Sequence, residues 1–468
     1  MSPYAPESVA PSRIDPVAAS ASEFIGGPLG RYAAPAARGA RALWQPAAAV
    51  LAGLASLTVA LGLVQKGHCF TGGWSSPDQF WHACYSDLPI SAGIGQAMPY
   101  LPGAPHLDQP VISGLLMWLI GLLVPDGSAI AGQQWYFALW AVLITVVVMV
   151  LVVVTAASVP RTPWLAGQVA LSPVLALAAL VSVDLLGVLL ASMALLAWGR
   201  TRIVLAGILL GLAVSARSYP LVLLVAIGLL AVRSGRVRAW TGLAATTLAT
   251  CLAVTLPWLV LNSDALLSVY RTWWRSGPSY GSLWMVSGLM GHGLPPGRVT
   301  VLVILGWLGA LVVGAVFALS LDRRPTVAEV SLVMLVIVVV TGKTMPVQAG
   351  LWLLPLIALV GLRWRDHLIW AGFEVTYFVA VWLYIAGLSK PDRGLPGGGY
   401  STLTLLRIAA WLYVLVQVWR VAGPRPPLIS AESEGRESEG QDSREGDEVD
   451  PLAGPMVGAP DQVLVRFS

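Results

Sequence analysis

Residues 134–156, QWYFALWAVLITVVVMVLVVVTA, run for 23 positions without a charged side chain. An apolar stretch of this length spans the hydrocarbon core of a bilayer as a helix. It shows no two-residue alternation, so it reads as a helix rather than a barrel strand, and only these two structures satisfy every backbone group inside lipid. Comparable runs lie near 46–65, 109–124, 185–199, 203–217, 218–232, 239–261, 299–320, 327–341, 347–362, 368–388 and 402–420. The expectation is an all-α polytopic transmembrane bundle of about twelve crossing helices. Composition agrees: 56% of the 468 residues are hydrophobic and 11% charged, against roughly 25% charged in soluble proteins. That is too little charge to cover a water-facing surface.

Residues 1–44 are rich in Ala, Pro and Ser and read as a disordered cytoplasmic arm. They lack the apolar core of a signal peptide, so the first helix is expected to serve as its own insertion signal. Residues 45–421 form the membrane domain, with long outer loops at 66–108 and 262–298. Residues 422–468, with the acidic run AESEGRESEGQDSREGDEVD at 431–450, read as a disordered cytoplasmic tail.

Basic residues of short loops set the orientation. Arg31, Arg38 and Arg41 precede the first helix. Arg200/Arg202, Arg233/Arg236/Arg238, Arg323/Arg324, Arg363/Arg365 and Arg420/Arg425 mark further cytoplasmic turns, which places both termini in the cytoplasm. Counting crossings from both directions agrees only if 165–182 enters and returns without crossing. A re-entrant segment breaking at Ser172-Pro173 is therefore expected there. The three lysines, Lys66, Lys343 and Lys390, then fall on the outer face against the general bias, and an anionic ligand is one reason for that.

Several outer residues can carry chemistry. Asp87, in Cys84-Tyr-Ser-Asp87-Leu-Pro, has aromatic and apolar neighbours that raise a carboxylate pKa and suit a general base; on local grounds alone a solvated loop aspartate is the commoner reading. Asp108 either caps the second helix, ahead of Pro110, or faces the same cavity as Asp87. Cys69 and Cys84 share the loop and can close a disulfide, while Cys251 lies in a helix. Arg217, in Ser-Ala-Arg217-Ser-Tyr219-Pro, either binds phosphate or snorkels to headgroups, and Asp184 on the same side can pair with it. Arg271, Trp273, Trp274 and Arg275, followed by Tyr280 and His292, can stack on a sugar and pair with phosphate; they can also form an interfacial aromatic belt. Lys343 and Arg407 are two more outer cations. Walker, dinucleotide, HExxH and CxxC motifs are missing, and nucleic-acid binding does not fit an outward-facing loop.

The order of these features resembles the GT-C class of glycosyltransferases. More narrowly it is similar to the actinobacterial polyprenyl-phosphate-mannose-dependent mannosyltransferases, glycosyltransferase family 87. The matching stretches are Cys84-Tyr-Ser-Asp87-Leu-Pro89, Leu107-Asp108-Gln-Pro110, Leu171-Ser-Pro173 followed by Asp184, Ala206-Gly-Ile-Leu-Leu-Gly211 leading to Arg217-Ser-Tyr-Pro220, and Lys343-Thr-Met-Pro-Val-Gln348 with Leu351-Trp-Leu-Leu-Pro355. The resemblance implies that Asp87 is the catalytic base of an inverting transfer. It implies a polyprenyl-phosphate-linked sugar donor held by Arg217, Lys343, Arg271, Arg275 and Arg407, and a glycolipid or glycan acceptor at the plasma membrane. Tyr85, Asp108, Asp184, Tyr219, Trp273, Trp274, Tyr280, His292 and Gln348 are the expected sugar or acceptor contacts. Some relatives of the wider class carry two adjacent acids, often with a metal. Asp87 has no acidic neighbour, so neither metal nor other cofactor is expected. The competing readings are a secondary transporter, which would place charges at the bilayer midplane between inverted repeats, and a non-catalytic scaffold that tolerates substitution of Asp87.

Overall fold

The structure is a computed structural model describing residues 46–92, 98–104, 107, 109–423 and 450–462, with backbone alone at 8–9 and 34–35. Asp108 and most of both tails lie outside the described residues.

Every apolar run expected to be helical is helical. α1 is Pro46–Gln65. Among the described residues the loop after it holds three short helices: α2 Gly67–Gly72, α3 Asp78–Trp81 and α4 Asp87–Ile90. Then follow α5 Val111–Gly121, α6 Ala129–Ser158, α7 Gly167–Ala170, α8 Pro173–Ala178, α9 Asp184–Gly199, α10 Ile203–Ala216, α11 Leu221–Arg233 and α12 Val237–Leu261. The second half holds α13 Ser263–Arg275, α14 Leu283–Leu289, α15 Pro296–Ser320, α16 Val327–Val340, α17 Ala349–Val360, α18 Trp364–Ser389 and α19 Gly397–Ala422. Among the described residues six of these (α1, α6, α12, α15, α18 and α19) are long and apolar enough to cross a membrane. The chain is a multi-pass membrane protein.

The re-entrant element is not where the sequence places it. Gln168 Nε2 donates to the Leu362 carbonyl, and Gly167 and Leu165 lie against Trp364 and Gly361. Residues 163–168 therefore sit at the turn bearing Arg363 and Arg365. From there the chain runs alongside α1 in the same direction: Thr58 Oγ1 donates to Ala170 O at 2.7 Å, Gly62 abuts the Ala176 carbonyl, and Asp87 N reaches Val181 O at 2.8 Å. The broken segment thus travels the whole way between the two ends of the bundle. The element that stays at one end of the bundle is α5. Its start is tied to the end of α10 (Ser113 Oγ to Ala216 O, 2.9 Å). Its last turns meet the start of α6 (Tyr136 to Met117 O, 3.0 Å), where Gln134 reaches Phe70 O. At about 1.5 Å per residue, the 11 residues of α5 fall far short of about 30 Å of hydrocarbon. Ser172 Oγ caps Val174 N at 3.3 Å, ahead of Pro173, and Thr58 of α1 satisfies the Ala170 carbonyl at the break.

Close approach of α10 to α12 depends on Gly207 and Gly211, one turn apart. An added Cβ at either would collide with Thr246 or Thr250 and with backbone of α12. Small residues spaced by four let membrane helices pack backbone to backbone. Gly211→Leu is expected to wedge these helices apart at a cost of about 1–3 kcal/mol or more, seen as a lower melting temperature in detergent. An unchanged melting temperature would remove this contact from the account.

The basic turns gather at one end. Arg233, buried, donates to Ala318 O and Leu321 O, and Arg323 pairs with Glu329 at 2.6 Å while donating to Val421 O. The tail, read from sequence as solvated to its end, packs here at residues 450–462. Asp450 accepts from Val327 N at 3.0 Å, Leu452 and Met456 are buried, and Asp461 pairs with Arg233 at 2.6 Å and Arg324 at 3.4 Å.

Candidate functional site

The opposite end carries the acids. Ser86 Oγ accepts from Leu88 N and donates to Leu180 O at 2.7 Å, which together with the Asp87 N–Val181 O bond fixes the start of α4 against the broken segment. The Asp87 side chain accepts the Tyr85 hydroxyl at 2.6 Å. Lys66, just beyond α1, is completely buried and donates to Tyr85 O at 2.8 Å, with its ammonium over the Phe378 ring. Tyr85 packs against Phe80 and Trp382.

Burial raises the Asp87 pKa above the ordinary carboxylate value, and the nearby Asp184 charge raises it further. The Tyr85 hydrogen bond, Arg217 and Lys66 oppose that rise. Burial pushes Lys66 down to about 7, against the pull of Asp87. A carboxylate in these surroundings accepts a proton readily but works as a base only when ionised. A reaction that uses Asp87 as its base therefore has the acid limb of its pH–rate profile above the usual carboxylate range. Because the Tyr85 bond favours the ionised form, Tyr85→Phe should move that limb to higher pH. A pH–rate profile that stays put in this variant would uncouple Asp87 from the rate.

Asp184, the first residue of α9, is buried and holds three partners: Ser182 Oγ at 2.8 Å, Trp352 Nε1 at 2.8 Å and Arg217 Nη2 at 2.5 Å. Arg217 follows α10 directly. Its Nε–H is buried without a hydrogen-bond partner among the described residues. Tyr219 stacks on Trp352 with centroids 4.9 Å apart. Asp87, Tyr85, Asp184, Arg217 and Tyr219 thus come together, as the sequence suggests. Lys66, Ser182 and Trp352 join them without having been singled out for the site. Lys66 carried a signal in its position on the outer face; Trp352 lies in the family-like stretch Leu351–Pro355, but an indole on an apolar helix reads as core.

Two of the remaining expected cations, Lys343 and Arg407, serve the fold. Lys343 was expected at the donor phosphate, but its ammonium is spent on Trp273 O, Trp274 O and Ser276 O at 2.7–3.1 Å, closing the C-terminal end of α13. Arg407, also expected there, is buried in a two-pronged pair with Glu374 at 2.8 and 2.9 Å and donates to the Met345 and Pro346 carbonyls. Both are over-determined by helix-end carbonyls and a buried acid, which sequence spacing does not reveal. Arg271 pairs with the exposed Asp264, and Arg275, Trp274 and His292 are exposed. Trp273 stacks on Trp307, which fits the aromatic belt better than a sugar platform. Tyr280 packs against Tyr384 in the apolar cluster that also receives Tyr85, and Gln348 precedes α17. Cys69 and Cys84 form the disulfide, with Cα atoms 5.9 Å apart.

The profile of glycosyltransferase family 87 matches residues 109–342, half of the chain. The chain belongs to glycosyltransferase family 87. The matched stretch holds Asp184, Arg217 and Tyr219 and begins after the loop carrying Asp87. Among solved structures this family 87 glycosyltransferase is similar to ArnT from Cupriavidus metallidurans bound to undecaprenyl phosphate, at 15% identity over 78% of this chain and 77% of that one, with a TM-score of 0.39. No curated protein matches the sequence.

Proposed function

We propose that this family 87 enzyme moves mannose from a polyprenyl-phosphate donor to a hydroxyl of a cell-envelope glycolipid or glycan, inverting the anomeric centre. The Asp87 end faces the extracytoplasmic side of the plasma membrane, and the basic turns, with both termini, face the cytoplasm. The acceptor oxygen attacks the anomeric carbon opposite the phosphate while Asp87 takes its proton. The anomeric C–O bond breaks with its electron pair going to the phosphate oxygen, and polyprenyl phosphate leaves. Arg217, with an N–H left over after pairing with Asp184, meets that growing negative charge, as a fixed donor in a desolvated site does effectively. A donor with a lipid tail diffuses in the bilayer, which explains a reaction site at the end of a helix bundle.

The observation that carries this reading is the placement of Asp87, held by Tyr85, beside the Asp184–Arg217 pair at one end of the molecule. Membranes containing the enzyme should transfer label from polyprenyl-phosphate mannose to an endogenous lipid or glycan. Transfer only from the glucose or arabinose donor would correct the sugar. No transfer from any of the three would end the proposal.

A further inference from the structure

Beside the disulfide, and apart from the residues around Asp87, three side chains with metal-binding chemistry converge. His68 on α2, Asp78 opening α3 and His82 just past its end offer one ligand atom each, all within 4.8 Å of one another. His68 Nε2 lies 2.7 Å from one Asp78 carboxylate oxygen and His82 Nδ1 lies 3.4 Å from the other. The two imidazoles are stacked, with centroids 3.5 Å apart and planes 17° from parallel. We propose that His68, Asp78 and His82 bind one divalent first-row transition ion of the zinc type.

As they stand, His68 Nε2 lies at hydrogen-bond distance from the Asp78 carboxylate and His82 Nδ1 from the Asp78 carbonyl at 3.1 Å, so each ring turns an N–H toward Asp78. In the other tautomer the same two nitrogens present lone pairs beside an anionic oxygen, the His-rich mixed nitrogen and oxygen set that zinc accepts. Calcium and magnesium prefer oxygen alone. Ligand atoms on one zinc ion lie at most about 4 Å apart, twice a bond of about 2.0–2.1 Å, so closure needs only a small rotation of these half-exposed side chains.

The scaffold is already fixed. Asp78 and His82 lie one helical turn apart, and His68 adjoins Cys69, whose bond to Cys84 brings the two segments together. Cys84 directly precedes Tyr85. A bound ion is therefore a structural clamp on the loop that presents Tyr85 and Asp87, and it takes no part in the proton transfer. This inference stands whether or not the enzyme uses a polyprenyl-phosphate donor.

The test uses full-length protein purified in detergent without a polyhistidine tag, stripped with chelator and titrated with Co2+ alone, then Zn2+ alone. The expected result is one equivalent of Co2+ with visible absorption bands, displaced by Zn2+, and a melting temperature raised by Zn2+. His68→Gln and Asp78→Asn should each weaken binding at least tenfold and remove the thermal shift. Absence of saturable binding by the unsubstituted protein overturns the proposal regardless of how the variants fold, and so does unchanged affinity in both variants.

Discussion

Asp87→Asn is expected to reach the membrane and fold as the unsubstituted enzyme does, and to transfer sugar about 10²–10⁴-fold more slowly, the usual contribution of a positioned general base. Folding should survive because the amide carbonyl still accepts the Tyr85 hydroxyl and the backbone bond to Val181 is untouched. The lost charge is one that burial and Asp184 already disfavour, and Lys66, which burial already holds at about 7, loses its proton when the Asp87 charge goes, so no unpaired buried ion is left. In the proposed mechanism transfer fails because an amide cannot take the acceptor proton. Initial rates in membranes with matched protein levels measure this. A variant that kept most of its rate would leave Asp87 without a catalytic role.

Arg217→Met is expected to damage both folding and turnover. It leaves Asp184, almost wholly buried, as an unpaired carboxylate at the start of α9, and breaking such a pair from one side costs about 3–5 kcal/mol. Pairing Arg217→Met with Asp184→Asn removes the stranded charge, so the double variant should regain much of the lost melting temperature. Sugar transfer should stay low in it, because the buried Nε–H proposed to meet the phosphate is still missing. If turnover returned with stability, Arg217 would be a counter-ion to Asp184 and nothing more, and the donor phosphate would need another ligand.

Asp87 and Arg217 were legible in the sequence for a shared reason: a charge in a chain this poor in charges needs a partner or a purpose. That reasoning does not separate the two outcomes. Arg217, Lys343 and Arg407 look alike along the chain, yet Lys343 closes the end of α13 and Arg407 is absorbed by Glu374. Which cation keeps a free donor depends on which carbonyls and acids reach it from distant helices. Similarly, Lys66 and Trp352 reach the Asp87 and Asp184 groups only through folding.

By itself the sequence determined the all-helical membrane architecture and the grouping of basic turns opposite the Asp87 loop, because apolar run length and loop charge act locally at each helix. Only the tertiary structure decided that α5 stays at the Asp87 end while the Pro173 segment runs the full length of the bundle. A parity count constrains the sum of crossings, and two errors of opposite sense leave it unchanged. Contacts such as Gln168 with Leu362 and Ser113 with Ala216 fix each segment separately. The same holds for the docking of residues 450–462, where a short stretch beyond an acidic run is held by Arg233 and Arg324, residues far from it in the chain.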